Sequence, residues 1–244
     1  MRRAFAALLI SGCGFQTSGS PPDLGGESAG PADAPPLDAP PVLPALVQRA
    51  KAFANTTNSA LTATLTAAPA NGDLLVMIGA AEHGGLSSVT GGGATWTRAT
   101  RSLSNTNMEI WYGVTNGSSA IVTITFPAFT LPIWMIVTDW SGMASTSVSD
   151  GAGSTAGNTS PAAAGTPVSV AAGDLLIFGA ADQTPNTFGN PAPGAWTVID
   201  SVTSNATTET AWFEIAPSAG SYAPTVSETS HNWDAALAGF RAAP

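Results

Sequence analysis

The sequence contains a single cysteine, Cys13, and this scarcity limits how the chain can be held together. One thiol cannot form a disulfide within its own chain, so a small scaffold stapled by disulfides is excluded. The cysteine follows a short apolar run close to the N-terminus. That position indicates a role other than cross-linking.

Charged residues are also few, at 9% of the chain against roughly 25% in ordinary soluble proteins. Those present are mainly acidic, so the formal net charge is −9. An acidic surface repels phosphate, so we expect no nucleic-acid partner and no basic patch that binds anionic membranes. Hydrophobic residues still make up 44% of the chain, enough to bury a sizeable core.

Residues that carry catalysis are scarce as well. A Gly-x-Ser-x-Gly motif occurs at 26–30, but it lies among prolines, whereas a nucleophile elbow needs a strand before it and a helix after it. Glu209 and Glu214 stand five residues apart in a predicted strand, which places them on opposite faces and excludes a glycosidase pair. A cysteine nucleophile could only be Cys13, and the N-terminal pattern around that residue predicts acylation, which would exclude it. The sequence therefore predicts no catalytic residue.

The two histidines are the first candidates for metal ligands. His83 follows Glu82 after one predicted strand, and His231 precedes Asp234 before another. Two imidazoles and two carboxylates could bind zinc or iron if these loops met. No close spacing of ligands supports that arrangement, so we predict two loop histidines that face solvent and no metal ligand.

Calcium is the remaining metal to consider, because it binds the carboxylate and carbonyl oxygens that loops supply. Asp150, Asp182 and Asp200 lie in loops or at strand ends, but no Asp-x-Asp-x-Asp run is present. Asp73 and Asp174 stand at equivalent turns, where we expect them to cap the turn. No cofactor is predicted, and a structural calcium stays open.

The N-terminus combines a basic start, an apolar run over residues 4–10 and the sequence Ile-Ser-Gly immediately before Cys13. This order resembles the lipobox of bacterial lipoproteins, in which the cysteine is lipidated after removal of a signal peptide, here residues 1–12. The run is shorter than the about 20 residues that span a bilayer, so lipid would be the anchor. Gly14, in place of Asp, resembles Gram-negative cargo sorted to the outer membrane. The resemblance implies a chain anchored outside the cytoplasm, at the outer membrane or cell surface.

Residues 13–45 follow as a predicted tether. They include eight prolines with Gly, Ser, Ala and Asp, and they show no apolar periodicity. Such a composition does not offset the entropy of ordering, so we expect an extended linker that gives the next domain reach from the membrane.

An internal repeat organises residues 46–244. The pattern Gly-Asp-Leu-Leu and three further landmarks recur at a spacing of 99 to 101 residues. The matched segments are 72–82 with 173–182, Trp96 with Trp196, 109–112 with 209–213, and Trp134 with the neighbourhood of Trp233. The spacing predicts two pseudo-repeats, 46–143 and 144–244.

Each pseudo-repeat has the pattern of short strands separated by Gly-rich and Asn-Gly turns. The run at 74–78 is continuously apolar, as expected for a strand that is covered on both faces. The predicted strands are 61–66, 74–78, 96–103, 108–114, 120–126 and 133–140, then 168–170, 175–180, 196–202, 209–215, 224–227 and 235–241. Residues 144–166 could instead link two domains, but pairing the halves would bury more apolar surface.

This pattern resembles a poorly characterised group of secreted bacterial domains. The resemblance is carried by the strand at 72–76, by Trp96-Thr97, by Trp111-Tyr112 and by the Trp-Ser-Gly ending at 140–142. It implies an all-β, jelly-roll-like, two-sheet antiparallel β-sandwich built from both pseudo-repeats. It implies no reaction.

The seven tryptophans are the last candidates for a site. Four of them occupy strand positions matched between the repeats, which predicts core packing; they are Trp96, Trp111, Trp196 and Trp212. Trp140 and Trp233 are less constrained, so we predict them as ligand contacts, in the way that flat rings stack on sugars.

These observations favour a non-catalytic, lipid-anchored binding module at the cell surface that recognises a glycan or another surface ligand, such as a cell-envelope protein. The alternative is a structural or assembly component of the envelope or of a surface appendage. An enzyme acting on polysaccharide is the third hypothesis, and it requires two converging carboxylates in a cleft.

Overall fold

The computed structural model describes residues 42–55, 58–82, 84–104, 106–130, 132–204, 207–229 and 231–244, without the side chains of 128–130. The predicted signal peptide, Cys13 and nearly all of the tether lie outside the described residues, as does His83. Within the described ranges, no helix has the length and apolar character needed to cross a bilayer.

The first half, residues 42–143, consists of strands and turns. Its strands are β1 (Ala45–Ala54), β2 (Asn58–Thr64), β3 (Leu74–Ala81), β4 (Ser88–Gly91), β5 (Thr97–Arg101), β6 (Glu109–Val114), β7 (Ile121–Thr130) and β8 (Ile133–Ser141). Five of them form the first central sheet, in the order β1-β8-β3-β6-β5, and β2-β7-β4 form the first outer sheet.

The second half, residues 144–244, is built in the same manner. Its strands are β9 (Ser149–Gly157), β10 (Ala162–Ala163), β11 (Val168–Val170), β12 (Leu175–Asp182), β13 (Thr197–Thr203), β14 (Thr208–Ile215), β15 (Gly220–Tyr222), β16 (Thr225–Val226) and β17 (Trp233–Phe240). The second central sheet has the order β13-β14-β12-β17-β9, and the short pairs β10-β16 and β11-β15 accompany it.

The strand pairs throughout the described residues are antiparallel, and the prediction of an all-β, sandwich-like antiparallel fold is confirmed. The two central sheets have the same strand order when the strands of one are matched to those of the other. The matched pairs are β1 with β9, β3 with β12, β5 with β13, β6 with β14, and β8 with β17.

The strands β3 and β12 are buried along their whole length, and apart from Asp182 at the end of β12 they consist of apolar residues and glycine. Alternate residues of each strand, such as Val76 and Ile177, enter one shared core between the central sheets. The other residues face outward into separate cores, with Met77 in the first half and Phe178 in the second. The sheets therefore lie in layers, and the predicted two-sheet sandwich corresponds to the central pair.

The edges of the two central sheets also meet, since β1 lies against β13 and β5 lies against β9. The stretch 144–166, considered as a linker, contains β9, which pairs with β17 over its whole length. This stretch is an edge of the second central sheet and does not act as a free connection between domains.

Candidate functional site

The two tryptophans predicted as ligand contacts lie in the interior. Trp140 is fully buried between the central sheets, where its indole N–H donates to Thr138 Oγ1 (2.8 Å) and its ring meets Phe213 edge-on. Trp233 is 5% exposed, and its N–H donates to the carbonyl oxygen of Thr159 (3.0 Å). A ring in either position has no face free to stack on a sugar, so both residues serve packing.

The four repeat-matched tryptophans pack against the outer cores, in the first half Trp96 and Trp111 and in the second Trp196 and Trp212. Trp212 is nearly fully buried and stacks on Phe178. Trp196 donates its N–H to the carbonyl oxygen of Pro193 (3.0 Å). Trp196 and Trp212 are buried in the second outer core, as expected, whereas Trp96 and Trp111 are only partly buried and pack against the first outer core.

Most of the aspartates considered for calcium have other partners. Asp150 pairs with Arg241, and Asp200 accepts hydrogen bonds from Arg49 (3.2 Å) and Lys51 (2.8 Å). Each of these carboxylates is matched by a cation of the chain itself. Their contacts are those of structural ion pairs that fasten one segment to another.

Asp174 caps its turn, because its Oδ2 accepts the N–H of Ala171 (2.6 Å). Asp234 pairs with Ala181, the neighbour of Asp182, and its carboxylate accepts hydrogen bonds from the Ser102 hydroxyl and from the N–H of Thr106 (2.6 Å). Asp234 thus joins the second half to a loop of the first half.

Three other side chains converge at one end of the second half, and we call Asp182, Glu228 and His231 the acid–histidine cluster. Asp182 is the last residue of β12, and it lies opposite Trp233, the first residue of β17. The antiparallel pairing therefore places the end of β12 beside the segment that leads into β17. Glu228 and His231 belong to that segment.

The ligand atoms of the cluster all lie within 4.8 Å of one another. His231 Nδ1 stands 4.0 Å from Asp182 Oδ2. The backbone N–H of His231 donates to Glu228 Oε2 (3.2 Å), which holds the glutamate against the histidine's own backbone. The imidazole remains partly open to solvent, with 45% of its side chain exposed.

The orientation of Asp182 is fixed by a short loop that follows it. Its Oδ1 accepts two hydrogen bonds from Thr184, one from the backbone N–H and one from the hydroxyl, each at 2.9 Å. Its Oδ2 accepts a bond from Asn186 Nδ2 (3.1 Å). A carboxylate offers about four acceptor positions, so Asp182 is oriented but still has capacity for a further partner.

The cluster brings two carboxyl groups together at a site that is largely shielded from solvent. Asp182 is fully buried, and Glu228 is 9% exposed with its Oε1 lacking a hydrogen-bond partner. Burial raises the pKa of Glu228, the N–H of His231 lowers it, and the nearby charge of Asp182 raises it, with a net upward shift. The arrangement favours anything that brings positive charge to these oxygens.

Polar amide groups surround the cluster. Asn232 Nδ2 donates to Gln183 Oε1 (3.0 Å), which links the two loops beside Asp182 and His231. Carboxylate, imidazole and amide groups together can bind a cation or donate and accept hydrogen bonds with a hydroxyl-bearing ligand.

The sequence predicts two members of this cluster separately, with His231 in a loop and Asp182 in a loop or at a strand end. It does not identify Glu228 as a candidate, and it does not predict that the three residues meet. The antiparallel pairing of β12 with β17 brings these residues together. The internal repeat predicts both strands but does not state that they are neighbours in the sheet. No protein-family model matches the chain, and comparisons with curated proteins and with solved structures find no match either, so its function is inferred from the site.

Proposed function

We propose that this chain is a non-catalytic, lipid-anchored binding module displayed at the outer membrane or cell surface, with its recognition site at the acid–histidine cluster. The observation that carries the proposal is the convergence of Asp182, Glu228 and His231 at one loop end. The amides of the adjoining residues Gln183 and Asn232 are hydrogen-bonded to each other. The N-terminal resemblance to a lipobox supplies the anchor, with Cys13 as the lipidated residue.

We further propose that residues 46–143 and 144–244 are pseudo-repeats that form one jelly-roll-like sandwich. The shared strand order of the two central sheets supports this view. Divergence between the repeats would then explain why the cluster belongs to the second half. Asp182 ends β12 and His231 precedes β17, and both strands have counterparts in the first half. The adjoining loops differ in sequence from those of the first half.

A glycan is the ligand class that these side chains suit best. Amides and carboxylates fixed by their neighbours can pair with the hydroxyls of a sugar, and Asn232 and Gln183 are held by each other. Because Trp140 and Trp233 are buried, we expect a sugar to be bound by polar side chains and not by stacking on these two rings.

A structural role in the envelope is the second candidate, and exposed apolar side chains favour it. Val47 on β1 is 54% exposed and Val198 on β13 is 47% exposed, and these two edge strands lie against each other. Apolar groups at a sheet edge are typical of surfaces that associate with another protein.

A glycan array tests the leading proposal. The purified protein should bind a defined class of saccharide, and Asn232→Ala should reduce that binding, because Asn232 is an exposed amide beside the cluster. Asn71→Ala is the matched control, since Asn71 is exposed in the first half and should leave binding unchanged. Absence of saccharide binding, or equal loss in both variants, would overturn glycan recognition at this site and favour the envelope role.

A further inference from the structure

We propose that Asp182, Glu228 and His231 bind one zinc-type divalent cation. The inference concerns the same loop end as the proposed binding module, but it does not depend on a glycan, and its experiment uses the metal alone. Failure of zinc binding and failure of glycan binding are therefore distinguishable results.

The first argument is charge. The cluster places two carboxylates side by side with little solvent, and burying an unpaired charge is expensive. The lysines and arginines of the described residues pair elsewhere: Arg49 and Lys51 with Asp200, Arg98 and Arg101 with Glu109, and Arg241 with Asp150. A divalent cation would balance the two carboxylates of the cluster.

The second argument is the unused capacity of the donors. Glu228 is nine-tenths buried, and its Oε1 accepts no hydrogen bond. Buried polar atoms in native proteins are nearly always satisfied, so an orphan oxygen on a residue of this cluster indicates a missing partner. The contacts of His231 Nδ1 are long, 3.4 Å to the Thr229 hydroxyl and 4.0 Å to Asp182 Oδ2.

The third argument is geometry. Zinc bound at about 2.0–2.2 Å by oxygen and nitrogen would separate neighbouring ligand atoms by about 3.4 Å in a tetrahedron. The separation between His231 Nδ1 and Asp182 Oδ2 is 4.0 Å. A small rotation of the half-exposed imidazole closes that gap, and its exposure also gives the ion a path of entry.

The fourth argument is the support around Asp182. Metal-binding carboxylates are usually themselves hydrogen-bonded, which fixes the direction of their lone pairs. Thr184 and Asn186 do this for Asp182 through three hydrogen bonds. These two residues are positioning residues, since they act through Asp182 and not on the ion.

The donor set also selects the ion. An imidazole nitrogen suits zinc and related transition metals, whereas calcium prefers a larger shell made of oxygens alone. Three protein ligands leave one position of a tetrahedral zinc open to water or to a ligand oxygen. The cluster therefore fits zinc better than the structural calcium that the sequence left open.

Isothermal titration of the untagged, metal-free protein with zinc chloride tests the inference. We expect one zinc per chain and a large loss of affinity in His231→Ala, a substitution of an exposed side chain that the fold should tolerate. His83→Ala is the matched control, as it removes the other histidine of the chain and should titrate like the wild type. Asn186→Ala should weaken zinc by about tenfold through the orientation of Asp182.

Glu228→Gln provides a second variant, because it keeps the shape of the side chain and removes its charge; it should also weaken zinc binding. Calcium chloride titrated in place of zinc should bind more weakly. The inference is overturned if the wild type does not bind zinc, if His231→Ala binds zinc as tightly as the wild type, or if calcium binds more tightly than zinc.

Discussion

Glu209 and Met108 each stand three residues before a matched tryptophan, Trp212 and Trp111 respectively. Met108 is fully buried in the shared core. Glu209 is equally buried, yet neither of its carboxyl oxygens has a hydrogen-bond partner among the described residues. Burial raises the pKa of Glu209 well above its ordinary value, which favours the protonated form of the side chain in the interior.

Replacing Glu209 by methionine should therefore stabilise the protein. We expect Glu209→Met to raise the free energy of unfolding at pH 7 by about 1–3 kcal/mol, because a buried and unpaired polar group is removed. The gain should grow as the pH rises above about 4.5, since this residue then ionises in the unfolded chain while burial keeps its pKa higher in the folded chain. Urea denaturation at several pH values measures it.

Glu109→Met is the control with the opposite sign. Glu109 is buried too, but its Oε1 accepts bonds from Arg101 Nε (2.8 Å) and the Leu86 N–H (2.7 Å), and its Oε2 accepts one from Trp111 (2.8 Å). The variant should lose at least about 2 kcal/mol. Equal effects of the two substitutions would contradict this account of buried glutamates.

Asp139 gives a second pH-dependent contribution. Burial raises the pKa of Asp139 to about 6, a hydrogen bond from Gln48 lowers it, and the charge of Asp73 raises it. An acid whose pKa is raised by folding favours the folded state at low pH, and this contribution is lost as the pH rises from about 4 to about 6.

Asp139→Asn should remove that loss, because the amide keeps the shape of the protonated acid without its charge. The unfolding free energy of the variant should fall less than that of the wild type over this pH interval.

Asp200 provides the control. Burial raises the pKa of Asp200, but hydrogen bonds from Lys51, Ser201 and Arg49 lower it below its usual value. Asp200→Asn should leave the pH 4–6 slope unchanged, and an identical slope in wild type and Asp139→Asn would be inconsistent with the assignment.

At the scale of strands, β9 (Ser149–Gly157) is a long strand that the sequence pattern does not predict. Its residues are small, and its glycines are required by close packing: a Cβ on Gly153 would lie 2.3 Å from the carbonyl oxygen of Thr166, and one on Gly157 would lie 2.4 Å from the Trp233 ring. A strand selected for close approach shows neither apolar alternation nor β-branched residues, the two signals from which strands are predicted.

Gly157→Ala should accordingly destabilise the protein by about 1–3 kcal/mol, because the added methyl group forces the Trp233 ring out of its place. Gly220→Ala in β15 is the control, since the nearest atom to its Cβ is in Tyr222 at 3.9 Å. Chemical denaturation compares the two. Equal stability of both variants would mean that β9 does not pack tightly on Trp233.

The strands that the sequence predicts are those with a local pattern, either an apolar run or an alternation of apolar and polar residues. The apolar runs of β3 and β12 identified them and their burial on both faces, and 168–170 matches β11 in its bounds. The acid–histidine cluster carries no such signal. Asp182 and Glu228 are 46 positions apart in the sequence, and only the pairing of β12 with β17 brings the two segments together.

At the scale of the whole molecule, the two halves share the core between the central sheets. Asp234 adds a polar link by binding Ser102 and Thr106 of the other half. Separating the halves would expose Val76, Ile177 and their neighbours to water, at a cost of roughly 25 cal/mol per Å² of apolar surface. Neither half should therefore remain folded when the other unfolds.

Calorimetry should show one unfolding transition for residues 42–244. Glu109→Met, although confined to the first half, should lower the midpoint of the entire transition. Two resolved transitions, with only one shifted by the substitution, would show that the halves are independent domains.

The most direct test of the acid–histidine cluster as a cation site is diffraction from crystals equilibrated with zinc, with data collected above and below the zinc absorption edge. We predict an anomalous peak enclosed by Asp182, Glu228 and His231, present above the edge and lost below it. The same crystals with an ordered cluster and no peak between these side chains would contradict the account, and the three residues would then form only an ion pair at the end of the second sheet.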